Sequence, residues 1–449
     1  MKFTREHLYR FTPAQVIVFY YFIAIGFSFL LLNLPGVYLP GVEVSFIDSL
    51  FTAVSAVSVT GLTPISISGT YSVFGLCMLM LVLQLGGIGI MSIGTFFWLL
   101  VKKKIGLRER QLIMVDHNQY SLAGVVELIR HIVQIIFLIE ITGGIILTLY
   151  IMRYYDSFGE ALLNGMFMSV SATTNAGFDL TGSSMLPYFN DYFVQTVIMI
   201  LIILGAIGFP VLIEVKSYFS KTVPNFRFSL FTKITTATFG LLLIWGALLI
   251  FILESFNSFK GLAWHEKIFA SLFHSVSSRS AGLTTYDITQ FSDATDIFIS
   301  SLMFIGASPS SVGGGIRTTT FAIALLFLYN FAQGNNVINI FRREIKLIDV
   351  YRSYAVILLA SMMVMTALLI LLITEKDIPV VALLFEITSA FGTCGMSLGI
   401  TSDLSVIGKL IIMVLMFIGR VGLISFLYTL GGRTNKKPYT YPKERVIIG

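Results

Sequence analysis

The chain has 449 residues, of which 56% are hydrophobic and 12% charged, and its mean hydropathy is +0.86. A soluble protein of this length would divide into two or three domains and carry about twice that share of charge on its surfaces. An ordinary cytosolic enzyme is excluded, and a polytopic membrane protein is indicated. The net charge of +6 does not indicate nucleic acid, because Lys and Arg collect in the cytoplasmic loops of membrane proteins. Cys77 and Cys394 stand 317 residues apart, which offers neither a disulfide framework nor a C-x-x-C site.

Lys2, Arg5 and Arg10 precede the first apolar run, Ala14 to Leu34. No small-residue cleavage site interrupts it, so it reads as a retained span rather than a signal peptide. Next comes Ile47 to Val59, too short to cross a bilayer and therefore a re-entrant half-helix. A polar turn, Ser58-Val59-Thr60-Gly61, leads to a second long run, Val73 to Val101. The same order returns with Val133 to Ile151, the turn Thr174-Asn175-Ala176-Gly177 and the run Tyr192 to Val215. It returns again with Thr235 to Leu253, Arg279-Ser280-Ala281-Gly282 and Ile297 to Asn330. The fourth pass is Ala355 to Ile373, the short run Val380 to Phe391, Gly392-Thr393-Cys394-Gly395 and Val406 to Leu430.

This is a fourfold internal repeat. Phe51, Phe167, Phe273 and Phe385 each open a Ser- and Thr-rich pattern that closes on Gly61, Gly177, Gly282 and Gly395, spaced 116, 105 and 113 residues apart. A second glycine follows each of these by 25, 28, 24 and 24 residues: Gly86, Gly205, Gly306 and Gly419. For Gly86, Gly205 and Gly419, close helix packing and a functional role stand as equal readings. The repeats run 1–115, 116–228, 229–345 and 346–449. The expected fold is an all-α polytopic membrane protein of four M1-P-M2 units (helix, re-entrant pore helix, helix) around one pore, with eight transmembrane helices. Two crossings per repeat give every repeat the same orientation. Of 30 Lys and Arg, 22 then fall on one side, which the positive-inside rule makes the cytoplasm, with both termini.

Re-entrant turns leave carbonyls unpartnered at membrane depth, where only protein or a water-filled path can receive them. Four such turns around one axis can replace the water shell of a dehydrated cation. The terminal Gly of each permits positive φ. In the third repeat, Pro309, two serines and Gly313 to Gly315 interrupt the second run, so an unwound segment is expected at mid-membrane. It lacks the G-K-[ST] ending of a phosphate loop. Lying below the turns, it is a gate candidate, with a passive kink as the alternative. Arg420 stands in an otherwise apolar run at the register of Gly419. It either repels a descending cation or pairs with Glu214 or a loop carbonyl. Arg279 is expected to brace its turn, and Glu140 and Glu386 to act as structural acceptors. The five histidines show no metal-binding spacing.

At these turns, and in the segment Gly-Ala-Ser-Pro-Ser-Ser-Val-Gly-Gly-Gly-Ile-Arg from Gly306 to Arg317, the sequence resembles the Trk/Ktr/HKT superfamily of potassium transporters, most nearly the Ktr-type membrane subunit. The resemblance implies potassium uptake through one selectivity filter. Its residues would be Val59, Thr60 and Gly61; Asn175, Ala176 and Gly177; Ser280, Ala281 and Gly282; and Thr393, Cys394 and Gly395. Gly rather than Ser at position 61 implies potassium over sodium. The gate would comprise Gly306, Ala307, Ser308, Pro309, Ser310, Ser311, Gly313, Gly314, Gly315 and Arg317, with Arg420. The only metal implied is the potassium ion. Sodium dependence is compatible with the resemblance, and no organic cofactor is implied in this chain. The implied partners are a second copy, forming a homodimer, and a ring of cytosolic nucleotide-binding regulatory subunits, in the lipid bilayer of the cell membrane. A nucleic-acid partner is not implied.

The rival reading is an alternating-access secondary transporter for a monovalent cation. Its inverted repeats need an odd number of spans, whereas two is even. An intramembrane enzyme would need paired Asp, Ser with His, or HExxH within the membrane, and none is found in the sequence.

Overall fold

The structure, a computed structural model, describes residues 12–89, 92, 95, 105–116, 124–220, 226–335, 337–423, 426, 427, 442 and 444. The basic residues before position 12, much of the segment between the first and second repeats and most of the C-terminal tail, which the charge count uses, lie outside the described residues.

The first repeat is built from α1 (Pro13–Leu32), α2 (Phe46–Ser58) and α3 (Val73–Ile88), and α4 (Leu107–Asp116) leads out of it. The second has α5 (Val125–Ile151), α6 (Phe158–Thr173), α7 (Tyr192–Ala206) and α8 (Phe209–Phe219). The third has α9 (Leu230–Glu254), α10 (Trp264–Ser277), α11 (Asp293–Ile305) and α12 (Thr318–Ala332). The fourth has α13 (Leu347–Thr374), α14 (Val380–Gly392) and α15 (Val406–Val421). A two-residue ladder pairs β1 (Asn339–Ile340) with β2 (Arg343–Glu344) between the third and fourth repeats, a small exception to the all-α expectation.

Among the described residues, four helices are long and apolar enough to cross a membrane: α1, α5 with its following turn, α9 and α13. The expected first runs begin too late in three cases. For example, α5 starts at Val125 rather than Val133, because Glu127, Arg130 and His131 lower the hydropathy without disfavouring the helix. The four short helices α2, α6, α10 and α14 have 13, 16, 14 and 13 residues, as a re-entrant reading requires.

The second runs differ from the sequence reading, which placed one break, in the third repeat. Tyr192 to Val215 is also broken: α7 and α8 meet at 104°. Gly208 at the break has φ 104 and ψ 131, conformations closed to residues with a Cβ. Gly89 (φ 90, ψ 135) ends α3 and Gly422 (φ 89, ψ 137) ends α15 in the same conformation. All three lie three residues beyond the second glycine of their repeat.

Closure follows from how these pieces pack. Each second helix contacts the short helix of the next repeat: α3 on α6, α7 on α10, α11 on α14, and α15 back on α2. The last contact joins the ends of the chain, and Lys409 of α15 bridges Asp48 of α2 at 2.8 Å across it.

Each second helix also begins with an N-cap that accepts an N–H of its own first turn: Ser72, Asp191, Ser292 and Ser405. Each cap is clasped by the end of its repeat's first helix. Ser72 donates to Gly36 O at 2.5 Å, Ser292 to Glu254 Oε1 at 2.7 Å and Ser405 to Glu375 Oε1 at 2.5 Å. In the second repeat the cap is itself the acid. Asp191 receives Tyr154 Oη and Arg153 Nη2 at 2.6 Å each and Tyr150 Oη at 2.9 Å.

Burial alone would raise the Asp191 carboxyl, but the hydrogen bonds from Tyr154, Tyr150, the Val194 N–H and Arg153 outweigh it and hold it below the usual carboxylate range. A depressed value in the folded state means the contribution is complete above about pH 4, the unfolded value, and is lost as pH falls through the lower folded value. Asp191→Asn is therefore expected to lower the thermal midpoint at pH 7, by the roughly 1–3 kcal/mol of an impaired buried hydrogen-bond set. The gap to the parent protein should close as the pH is taken below 4. Thermal unfolding in detergent across pH 3–7 checks this, and a gap that stays constant with pH would contradict it.

Candidate functional site

The four turns begin where the short helices end. Thr60, Ala176 and Cys394 donate their N–H to Ser55 O, Ser171 O and Ser389 O at 2.9, 2.8 and 2.8 Å, and Gly282 donates to Ser277 O at 3.2 Å. The serine hydroxyls brace the next residues. Ser55 and Ser389 accept from Gly61 N and Gly395 N at 3.0 Å each, while Ser171 and Ser277 donate to Phe178 O and Leu283 O at 2.7 and 2.5 Å. Sequence reading assigned these serines no role, although all four stand in register within the repeated pattern. That register was the available signal.

Gly61, Gly177, Gly282 and Gly395 have φ of 97, 70, 69 and 97. Two residues before three of them, Val59, Asn175 and Thr393 are also left-handed, with φ of 56, 52 and 49. Ser280 is not, because the third pattern, Phe273 to Gly282, is one residue shorter than the others and turns in fewer steps.

The four turns meet one another. A Cβ built on Gly61 would lie 3.0 Å from Gly177 Cα, and one on Gly177 2.7 Å from Ala281 O. One on Gly282 would lie 2.8 Å from Gly395 Cα, and one on Gly395 3.1 Å from Gly61 Cα. The carbonyl oxygens of Ala176, Ala281, Cys394 and Thr60 thus each pack against the glycine of the preceding repeat, and the series closes on itself. Two side chains tie the last two turns together: Ser280 Oγ donates to Thr393 O at 3.2 Å, and the Cys394 thiol to Ser277 O at 3.5 Å. Cys394 thus contributes its sulfur as well as its backbone. The C-termini of α2, α6, α10 and α14 end at this ring, and their dipoles add partial negative charge there. Oxygens so arranged suit a dehydrated cation.

Gly86, Gly205 and Gly419 fit the packing reading. A Cβ at Gly86 would meet Ala56 O at 2.8 Å, at Gly205 Asn175 Nδ2 at 2.9 Å, and at Gly419 Phe391 C at 3.0 Å, so each lets its helix close on the end of its own short helix. Gly306 departs. It caps α11 at φ 70, and residues 306–317 leave the helix and return to it: Ile316 N and Arg317 N donate to Phe304 O and Ile305 O at 3.2 and 2.9 Å.

The loop lies directly below the ring. Sites for a Cβ on Gly313 and Gly314 fall 2.7 Å from Ser280 Cβ and 2.6 Å from Thr393 Oγ1. It is also laced into the break of the second repeat. Ser308 N and Val312 N donate to Ala206 O and Gly205 O at 3.1 and 3.3 Å, and Ser310 O accepts from Phe209 N at 2.8 Å. These are the peptide groups that the break between α7 and α8 would otherwise leave unpaired.

Three arginines serve this loop. Arg279 is fully buried and donates through Nη2 to Gly306 O at 2.6 Å, a brace from the third turn to the loop's first residue. Arg317 donates to Ser308 O at 3.1 Å and to Gly313 O. Arg420, 8% exposed, donates to Val312 O, to Gly86 O and, at 3.1 Å, to Gly87 O. Of the two partners weighed for it from the sequence, the loop carbonyl is the one present, whereas Glu214 accepts from Ser229 N at 3.0 Å instead.

The sequence matches the TrkH family, described as "Cation transport protein", over residues 9–431. It is 55% identical over 438 residues to the Ktr system potassium uptake protein D of Bacillus subtilis (strain 168), covering 98% of this chain and 97% of that protein. It is 36% identical over 445 residues to the Ktr system potassium uptake protein B of the same organism, covering 98% and 97%. Identity to the potassium/sodium uptake protein NtpJ of Enterococcus hirae is 33% over 447 residues, covering 98% of each. Among solved structures, the fold is similar to that of the potassium transporter TrkH from Vibrio parahaemolyticus, with a TM-score of 0.70 at 18% identity, covering 91% of this chain and 84% of that one. The chain therefore belongs to the TrkH family of cation transport proteins and, within it, to the Ktr-type membrane subunits.

Proposed function

We propose that the chain is the ion-translocating subunit of a potassium uptake system, and that its four turns form one potassium filter. The observation that carries this is the closed ring in which the Thr60, Ala176, Ala281 and Cys394 carbonyls pack against the glycines of neighbouring repeats. The names of the similar Bacillus proteins support potassium as the cargo, and that of the Enterococcus protein supports a link to sodium. The filter comprises the last three residues of each turn, 59–61, 175–177, 280–282 and 393–395. The loop from Gly306 to Arg317 obstructs the path below it and moves aside for passage. Two of the similar proteins are named as parts of a Ktr system, which supports a separate regulatory partner. In this reading the chain works as a homodimer on a cytosolic nucleotide-binding ring, with both termini in the cytoplasm.

The filter is tested by replacing Gly61, Gly177, Gly282 and Gly395 singly with Ser. Each change strains a positive-φ residue by about 1–3 kcal/mol and drives a Cβ at a neighbouring repeat. The expected result is potassium uptake with KM raised about tenfold or more, or measurable sodium uptake, in cells lacking their own potassium uptake. Unchanged kinetics and selectivity in all four variants would remove the filter from these turns.

Arg420 separates two ways of blocking the path. A like unit charge about 6 Å from the ion repels it by roughly 3 kcal/mol at an effective dielectric near 20. A tether acts instead through three hydrogen bonds, each with a charged donor and worth about 1.5–3 kcal/mol. Arg420→Ala and Arg420→Gln raise maximal flux under either account. Arg420→Lys keeps the charge but has no planar fork to hold Val312 O and the Gly86 and Gly87 carbonyls at once. The geometry predicts that Lys also raises maximal flux, by about tenfold, with little change in KM. A Lys variant as slow as the parent protein would assign the barrier to charge.

A further inference from the structure

Glu140 of α5 and Gln84 of α3 meet between the first and second repeats. Gln84 Nε2 donates to Glu140 Oε2 at 2.5 Å, and Glu140 is only 2% exposed. The remaining oxygens of both side chains, Glu140 Oε1 and Gln84 Oε1, are buried and have no hydrogen-bond partner. Among the described residues, the three acceptor oxygens of this pair thus share one side-chain donor, the Gln84 amide.

No cation repairs this shortage. The ion pairs among the described residues are Arg153–Asp191, Arg352–Asp349 and Lys409–Asp48, none of which involves Glu140. Of the helices packed on α5, α3 and α7 carry no charged residue, α6 carries Glu160, α8 carries Glu214 and Lys216, and α4 carries Arg108, Glu109, Arg110 and Asp116. On α5 itself the nearest charged or basic groups are His131, Arg130 and Glu127, at least about 13 Å along the axis at 1.5 Å per residue. An ionised carboxylate would stand here with one amide hydrogen bond and a bare oxygen, an expensive arrangement inside a membrane.

We propose that Glu140 is a proton-binding site, occupied while the protein is folded, whose carboxylic O–H closes a two-bond acid–amide pair with Gln84. The proton sits on Glu140 Oε1 and is donated to Gln84 Oε1, while Gln84 Nε2 donates to Glu140 Oε2. Both orphan oxygens are then satisfied, and the proton comes from water. The count does not depend on how the amide is turned. With its oxygen and nitrogen exchanged, two oxygens would face each other, and that contact also requires a proton between them.

The pair holds more than itself. Ser169 Oγ of α6 donates to the Glu140 backbone carbonyl at 2.8 Å, so α3, α5 and α6 meet at this point. Gln84 stands two residues before Gly86, whose carbonyl, with that of Gly87, receives Arg420.

Glu140→Gln in the full chain tests this, because a second carboxamide forms the same two bonds without a proton. Expected are wild-type folded yield and a thermal midpoint within about 2 °C of the parent, whereas Glu140→Leu and Gln84→Leu, which orphan one partner, lose about 2–4 °C or more. Infrared spectra of the parent minus Glu140→Gln at neutral pH should show a protonated carboxyl C=O stretch that moves down in D2O. Carboxylate bands in its place would overturn the proposal. So would a Glu140→Gln protein that fails to fold or melts as early as Glu140→Leu.

Discussion

A peptide group inside a membrane must have a partner, and this protein breaks its helices where water cannot supply one. The guanidinium of Arg420 settles the largest such debt. Because α3 stops at Ile88, the Gly86 and Gly87 carbonyls have no intrahelical acceptor role left to play. Arg420, reaching from α15, takes both and adds Val312 O of the loop. One planar cation thereby joins the first, third and fourth repeats. The second repeat enters through the loop's own amides, which pair with Gly205 O and Ala206 O at the end of α7. All four repeats meet at this level through groups that the helix breaks leave without intrahelical partners.

The ring and the loop are held by different sets of contacts. In the ring, backbone faces backbone with no room for a Cβ between neighbouring repeats, so one turn cannot shift without displacing the next. The loop is held by the side chains of Arg279, Arg317 and Arg420 and by a few N–H donors. Both answer the same demand, that each carbonyl or N–H freed by a turn or a break finds a partner within the protein.

Much of this was legible in the sequence because repetition exposes constraint. Gly in all four turns marks the need for positive φ, and φ between 69 and 97 at Gly61, Gly177, Gly282 and Gly395 is its physical cause. The unwound segment was legible for the same reason, as Pro309 and three glycines have no place in a helix. The breaks at Gly89, Gly208 and Gly422 were less visible. Gly89 and Gly422 stand in apolar runs, where hydropathy registers no change and glycine is common, whereas Gly208 has Pro210 two residues on, in the first turn of α8. Their shared spacing from Gly86, Gly205 and Gly419 marks all three. Of the partners of Arg420, a loop carbonyl was within reach of the sequence and is that of Val312, whereas Gly86 and Gly87 lie 334 and 333 residues away and offer only backbone oxygens, which carry no signature in the side-chain sequence.

The third repeat shows how a fourfold plan acquires a direction. Four equal repeats would surround the axis with four equal second helices. Here the third turn is one residue shorter, places Arg279 where the others have small or apolar groups, and sends that arginine to Gly306 O. The helix that follows breaks three residues earlier than the other second helices, at Gly306 rather than at the position of Gly89, Gly208 and Gly422, and spends the freed chain on the loop. The shortened turn and the early break are therefore two ends of one departure, joined by a single hydrogen bond.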